Sequence, residues 1–233
     1  MAMYEALQGR FGPQHWWPAS PELAGEDRTL EICVGAILTQ NTNWRNVEKA
    51  LSRLIGAGCM SVRALGELAP EALGELIRPA GYFNVKARRL KHFIAHVADR
   101  HGGDLSACLD QPVGVLREEL LGIHGIGPET ADSMILYAAR KCTFVVDAYT
   151  RRVFSRHGLI GADWDYEAVK RWCESHVPAR VGLYNDYHAQ LVAVGKTYCR
   201  PAPRCRGCPL EAFGRTGPAA RCRPPRPGPK RPR

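Results

Sequence analysis

Apolar residues recur three and four positions apart along most of this chain, and that period constrains the fold more than any other feature. Leu30, Val34, Ile37 and Leu38 fall on one helical face, and Val47, Ala50, Leu51 and Leu54 repeat the pattern. The same spacing predicts helices over 70–77, where Pro70 sits in a first turn that has no use for its N–H, and over 87–100, 113–121, 128–140, 148–157, 166–176 and 183–198. The one β-branched cluster, 143–146, is too short and isolated to make a sheet and reads as an extended connector. The expected fold class is all-α, with no repeat of fixed period.

A chain of 233 residues, 45% hydrophobic and 24% charged, can bury one large core or two smaller ones. Its 32 Lys and Arg against 23 Asp and Glu give a formal net charge of +9. A polyanionic partner suits that balance, because each cation set on a phosphate releases counterions. There is no long apolar run for a membrane span, and the opening MAMYEALQGRFG lacks the charged and apolar regions of a secretory signal. A cytoplasmic protein without membrane contact is expected. Residues 223–233 are basic and proline-rich, which predicts a disordered tail.

The cysteines divide into two groups. Cys33, Cys59, Cys108, Cys142 and Cys173 are scattered and read as core residues, whereas Cys199, Cys205, Cys208 and Cys222 form C-x5-C-x2-C-x13-C with Pro209 straight after the third. Four soft thiolates suit a tetrahedral zinc ion or a [4Fe-4S] cluster, and spacing alone leaves both open.

Between two expected helices stands LGIHGIGPETA, residues 121–131, whose Gly122, Gly125 and Gly127 permit a tight turn before Pro128 opens the second helix. Backbone N–H groups at such a helix start can meet a phosphate, although a plain glycine turn between packed helices has the same sequence. Asp147 stands where the apolar connector meets a helix, a position for an N-cap. Trp16, Trp17 and Trp44 are three of the five tryptophans; their faces can stack on a base or simply fill a core.

Taken together over 30–208, these motifs resemble the endonuclease III superfamily of helix-hairpin-helix DNA glycosylases, with Asp147 at the position of its active-site aspartate. The resemblance implies two helical lobes: a six-helix barrel over 28–141 holding the hairpin, and a second lobe from 1–27 with 142–222 holding the cysteine loop. A DNA groove is expected between them, with Asp147 facing Glu129. The implied partner is double-stranded DNA with a damaged base, bound by a monomer. Asp147 then assists departure of a flipped base by stabilising the positive charge that develops on the sugar.

Where bifunctional relatives carry a lysine nucleophile, this chain has Glu129. A carboxylate cannot form a Schiff base, so a monofunctional enzyme is expected. Gln40 and Tyr82 align with two side chains that wedge into the duplex, and Lys86, in the Tyr82 loop, is a further DNA contact. The Trp-Trp-Pro segment with Trp44 resembles the bacterial 3-methyladenine DNA glycosylase branch, which implies a pocket of Trp16, Trp17 and Trp44 for a cationic alkylated purine. Resemblance to the endonuclease III cysteine loop favours [4Fe-4S] over zinc, although the gap before Cys222 is longer here. The rival expectations are a bifunctional glycosylase/lyase acting on oxidised pyrimidines, an adenine-mismatch glycosylase, and a non-catalytic hairpin protein that only binds DNA.

Overall fold

The computed structural model describes residues 1–214; Cys222 and the basic stretch 223–233 lie outside them. Among the described residues every regular element is helical: α1 (Ala2–Phe11), α2 (Gly25–Leu38), α3 (Trp44–Gly56), α4 (Val62–Glu67), α5 (Pro70–Ile77), α6 (Phe83–His101), α7 (Leu105–Leu109), α8 (Val113–Gly122), α9 (Pro128–Ser133), α10 (Ala148–Arg156), α11 (Tyr166–His176) and α12 (Val181–Thr197). No helix among them is long and apolar enough to cross a membrane.

The termini of these helices follow from local chemistry. Asn43, Ser61, Asp104, Asp147 and Asp165 each cap the helix they precede, the side chain accepting from the backbone N–H three residues on. The caps at Ser61 and Asp104 start α4 and α7, which are too short for their apolar period to register in the sequence. The expected helix over 128–140 is α9 followed by a π-helical turn, Met134–Ala138, closed at Arg140 by a positive φ of 53°. Residues 143–146 run as a buried connector without regular structure.

The chain divides into two compact units, Trp17–Val145 and Met1–Trp16 with the described chain from Val146 onward. The boundaries expected at 28 and 141 lie inside the larger unit. Its centre is the second half of α2, buried on every side from Leu30 to Leu38, with Leu30, Cys33, Val34, Ile37 and Leu38 among the buried residues. Two buried acids in this unit are fully engaged. Glu31 accepts from the Ser20 N–H (2.8 Å) and hydroxyl (2.6 Å). Asp132 takes Arg117 Nε and Nη2 at 2.9 and 3.2 Å and the Thr143 hydroxyl at 3.0 Å. That forked pair ties α8 to α9, the two helices that flank the glycine turn.

In the smaller unit Leu7, Val153, Phe154, Val169, Cys173 and Tyr187 are buried together with most of α12. The N-terminal segment is fastened to α12 by the Tyr4 hydroxyl and the Gln14 N–H on Asp186 (both 2.9 Å), and by Gln190 Nε2 on the Gly12 carbonyl (2.6 Å).

Candidate active site and nucleic-acid interface

The helix-hairpin-helix of the larger unit is α8, the turn 123–127 and α9. Ile126 N–H closes the turn on the Ile123 carbonyl at 3.0 Å, while the N–H groups of Gly125 and Gly127 take no backbone partner among the described residues. Gly122 and Gly127 are exposed. Gly125 has a φ of 96°, and a Cβ there would run into the Arg89 side chain, so both backbone and space require glycine. Beside the turn, Val85, Arg88, Arg89, His92 and His124 line a cavity of about 370 Å³. Two guanidiniums at its wall suit an anionic occupant such as a DNA phosphate.

Both wedge candidates belong to this unit. Gln40 donates to the Gly125 carbonyl (3.2 Å) and the Thr130 hydroxyl (2.9 Å) and accepts from Arg89, so its amide is tied to the hairpin. Tyr82 is 72% exposed and sits at φ 48°, a left-handed conformation that costs a bulky residue energy and that places the ring in solvent at the start of α6.

Lys86 requires a correction. It is expected to contact DNA, but it is 2% exposed, and its ammonium donates to the Leu38 and Ala80 carbonyls at 2.9 and 2.8 Å. Burial, and then the charge of Arg89, lower its pKa to about 8. Its place one turn into α6 turns the side chain inward, where it joins the end of α2, just ahead of Gln40, to the turn just ahead of Tyr82.

Asp147 lies in the smaller unit and is buried. Oδ1 accepts from the Thr150 N–H at 2.7 Å and caps α10; Oδ2 lies 3.5 Å from His188 Nε2. Burial pushes the carboxyl pKa up, but His188 and the Thr150 N–H outweigh it and hold the group below its ordinary value. Trp16 lies against the same histidine, ring centroids 5.5 Å apart and tilted 38°. Within this unit, therefore, an ionised carboxylate, an imidazole and an indole stand in series. His188 sits mid-helix among mixed polar and apolar neighbours, and nothing in the sequence distinguishes it from a core histidine.

Trp17 and Trp44 meet in the larger unit edge to face, 5.1 Å apart at 90°, with Tyr137 5.0 Å from Trp17. Gly35 lies under this corner, where a Cβ would come within 3.3 Å of Trp17 and 3.5 Å of Trp44. Trp44 Nε1 is buried without a hydrogen-bond partner among the described residues. The indoles do not form a parallel slot; they make an aromatic corner. Gly35 and Tyr137 escape sequence reading because only the fold brings them to the tryptophans. Glu129 is exposed in the first turn of α9, where an acid suits the positive end of the helix.

Cys199, Cys205 and Cys208 lie on one loop after α12, closed by the Arg204 N–H on the Tyr198 carbonyl at 2.8 Å and the Cys208 N–H on the Cys205 carbonyl at 3.0 Å. Arg156 Nη1 donates to Cys199 Sγ at 3.3 Å, and Arg152 Nε to the Cys199 carbonyl at 2.6 Å. The three cysteines share one loop, but among the described residues their sulfur atoms are not gathered closely enough to form a metal-holding group. Cys222 lies outside the described residues.

The larger unit thus carries a glycine hairpin between tied helices, and the smaller unit a buried aspartate that caps a helix. The chain belongs to the HhH-GPD superfamily of base excision DNA repair proteins, whose model matches residues 34–179, and it is a DNA glycosylase of that family. It is 41% identical over 212 residues to a Methanocaldococcus jannaschii protein named as a DNA repair glycosylase, covering 91% of this chain and 93% of the relative. Endonuclease III of Sulfolobus acidocaldarius is 29% identical over 83% of this chain and 85% of its own length. Among solved structures, the H. pylori 3-methyladenine DNA glycosylase MagIII bound to 1,N6-ethenoadenine superposes with a TM-score of 0.68 at 25% identity, covering 84% of this chain and 98% of that one. A non-covalent endonuclease III–DNA complex superposes at 0.73 with 22% identity, covering 90% and 91%, and shows the shared fold.

Proposed function

We propose that this glycosylase is monofunctional, that it binds double-stranded DNA as a monomer, and that it excises alkylated purines such as 3-methyladenine by hydrolysis of the N-glycosidic bond, leaving an abasic site. The observation that carries this reading is Asp147: a buried carboxylate held ionised by His188 and by its helix cap. Such a group stabilises a cationic sugar as the base departs. Alkylation weakens the glycosidic bond, so chemistry without a nucleophilic amine suffices for such bases. Glu129 at the lysine position agrees, and so does Lys141, whose ammonium is bound to the Gln111 carbonyl and lies 3.7 Å from Asp110.

Trp16, Trp17 and Trp44 would supply aromatic faces for the flipped base, with stacking worth about 1–3 kcal/mol per base and a cation–π gain for an alkylated purine. Gln40 and Tyr82 would fill the vacated stack. The Gly125 and Gly127 N–H groups, with Gly122 at the turn, would hold backbone phosphate. Cys199, Cys205, Cys208 and Cys222 would hold a [4Fe-4S] cluster; when bound it supplies rigidity to the loop, which presents Arg200, Arg204 and Arg206 to phosphates.

The test is Asp147→Asn on duplex DNA treated with a methylating agent. Asparagine still caps α10, so folding and DNA affinity stay near wild type, while release of free base falls about 10²–10³-fold. Release at the wild-type rate would overturn the role of Asp147.

A further inference from the structure

Among residues that the proposed function does not use, three ligating side chains of the larger unit converge. His96 and His101 come from the last turns of α6, and Glu119 from α8. Glu119 Oε1 lies 2.6 Å from His96 Nε2 and 2.6 Å from His101 Nε2, and one ligand atom from each residue falls within 4.8 Å of the other two. We propose that His96, His101 and Glu119 form a binding site for a single divalent transition-metal ion of the zinc class, with water in the fourth position.

The donor set is the first argument. Two imidazoles and one carboxylate, with a position left for water, are a combination that zinc takes readily, with bonds of about 2.0–2.2 Å. Tetrahedral bonds of that length separate neighbouring ligand atoms by roughly 3.3 Å, so each 2.6 Å histidine–Glu119 edge would open by less than about 1 Å to admit an ion. Accessibility is the second. The side chains are 22%, 16% and 15% exposed, sheltered enough to be ordered and open enough to admit an ion and a water.

Orientation is the third argument. Gln111 Nε2 donates to Glu119 Oε2 at 2.7 Å and to the Cys108 carbonyl at 2.8 Å, which fixes the carboxylate plane from behind as an outer partner does in metal sites. Gly102, at φ 61°, ends α6 straight after His101 and leaves that imidazole at the helix terminus, facing α8. A bound ion would clamp α6, which begins straight after Tyr82, to α8, which leads into the hairpin.

The experiment uses the full chain with any thiolate-bound metal left in place. Zinc is titrated against a chromophoric chelator for wild type, His101→Gln and Glu119→Gln. Wild type should bind one equivalent more than either variant, and zinc should raise the melting temperature of wild type only. X-ray absorption at the zinc edge of the wild type gives an answer even if a variant folds poorly: nitrogen and oxygen scatterers with an imidazole pattern are expected for the added equivalent. Equal stoichiometry in all three proteins, or a purely sulfur-bound zinc in the wild type, would overturn the site and leave a hydrogen-bonded His–Glu–His cluster.

Discussion

Asp147 uses its two oxygens for different purposes: Oδ1 satisfies a helix N-terminus, and Oδ2 meets His188. Substitutions can separate the two. Asp147→Ala loses both, and should cost about 1 kcal/mol of stability beyond Asp147→Asn, read by chemical denaturation. The pH dependence follows from the direction of the shift. The folded pKa lies below the unfolded one, so Asp147 contributes stability that is present above the ordinary carboxylate range and lost as pH falls through the depressed value. Wild-type base release should therefore show no acid limb from this group at mildly acidic pH. His188→Gln removes the main opposing influence and should move an acid limb upward; a profile unchanged by that substitution would rule out His188 as the group that keeps Asp147 ionised. The aspartate was legible in the sequence because an acid between an apolar connector and a helix is an N-cap by its chemistry. Its partner was not, since a single histidine in the middle of a helix carries no local signal.

At the scale of elements, Lys86 and the arginines of α10 each join segments that the sequence presents as separate. Lys86 ties the end of α2 to the turn before α6, and so holds the bases of the Gln40 and Tyr82 loops. Lys86→Met should lower excision more than it lowers binding to undamaged DNA. The sign of its pH effect is also defined. The folded pKa, about 8, lies below the usual lysine value, so the unfolded chain holds the extra proton between the two, and the contribution of Lys86 to stability grows as pH rises through that window. The difference between wild type and Lys86→Met, measured by denaturation across it, should follow that direction. On α10, Arg152 and Arg156 grip the Cys199–Pro201 backbone, so Arg156→Ala should loosen the cysteine loop, and speed loss of the proposed cluster from it, while leaving the Asp147 cap intact. The long helices were legible from apolar period. The inward turn of Lys86 was not, because a lysine beside a wedge loop looks like a phosphate contact until the fold buries it.

For the whole molecule, the +9 charge pointed toward a polyanion, and the family supplies the DNA. The charge acts locally where Arg88 and Arg89 line the cavity beside the hairpin. Arg88→Ala should weaken binding to all duplexes about equally and reduce the slope of log K against log salt by about one. Fold class was readable from the absence of any sheet-forming pattern, and the hairpin from its glycines. The aromatic corner over Gly35 was not, because only the fold brings those residues together. The most direct measurement is product analysis on methylated duplex DNA, with free bases separated and the strand inspected before any alkali is added. Free 3-methyladenine with an uncut strand, and no covalent adduct on borohydride addition, is the predicted result. A nicked strand with a trapped adduct would contradict it.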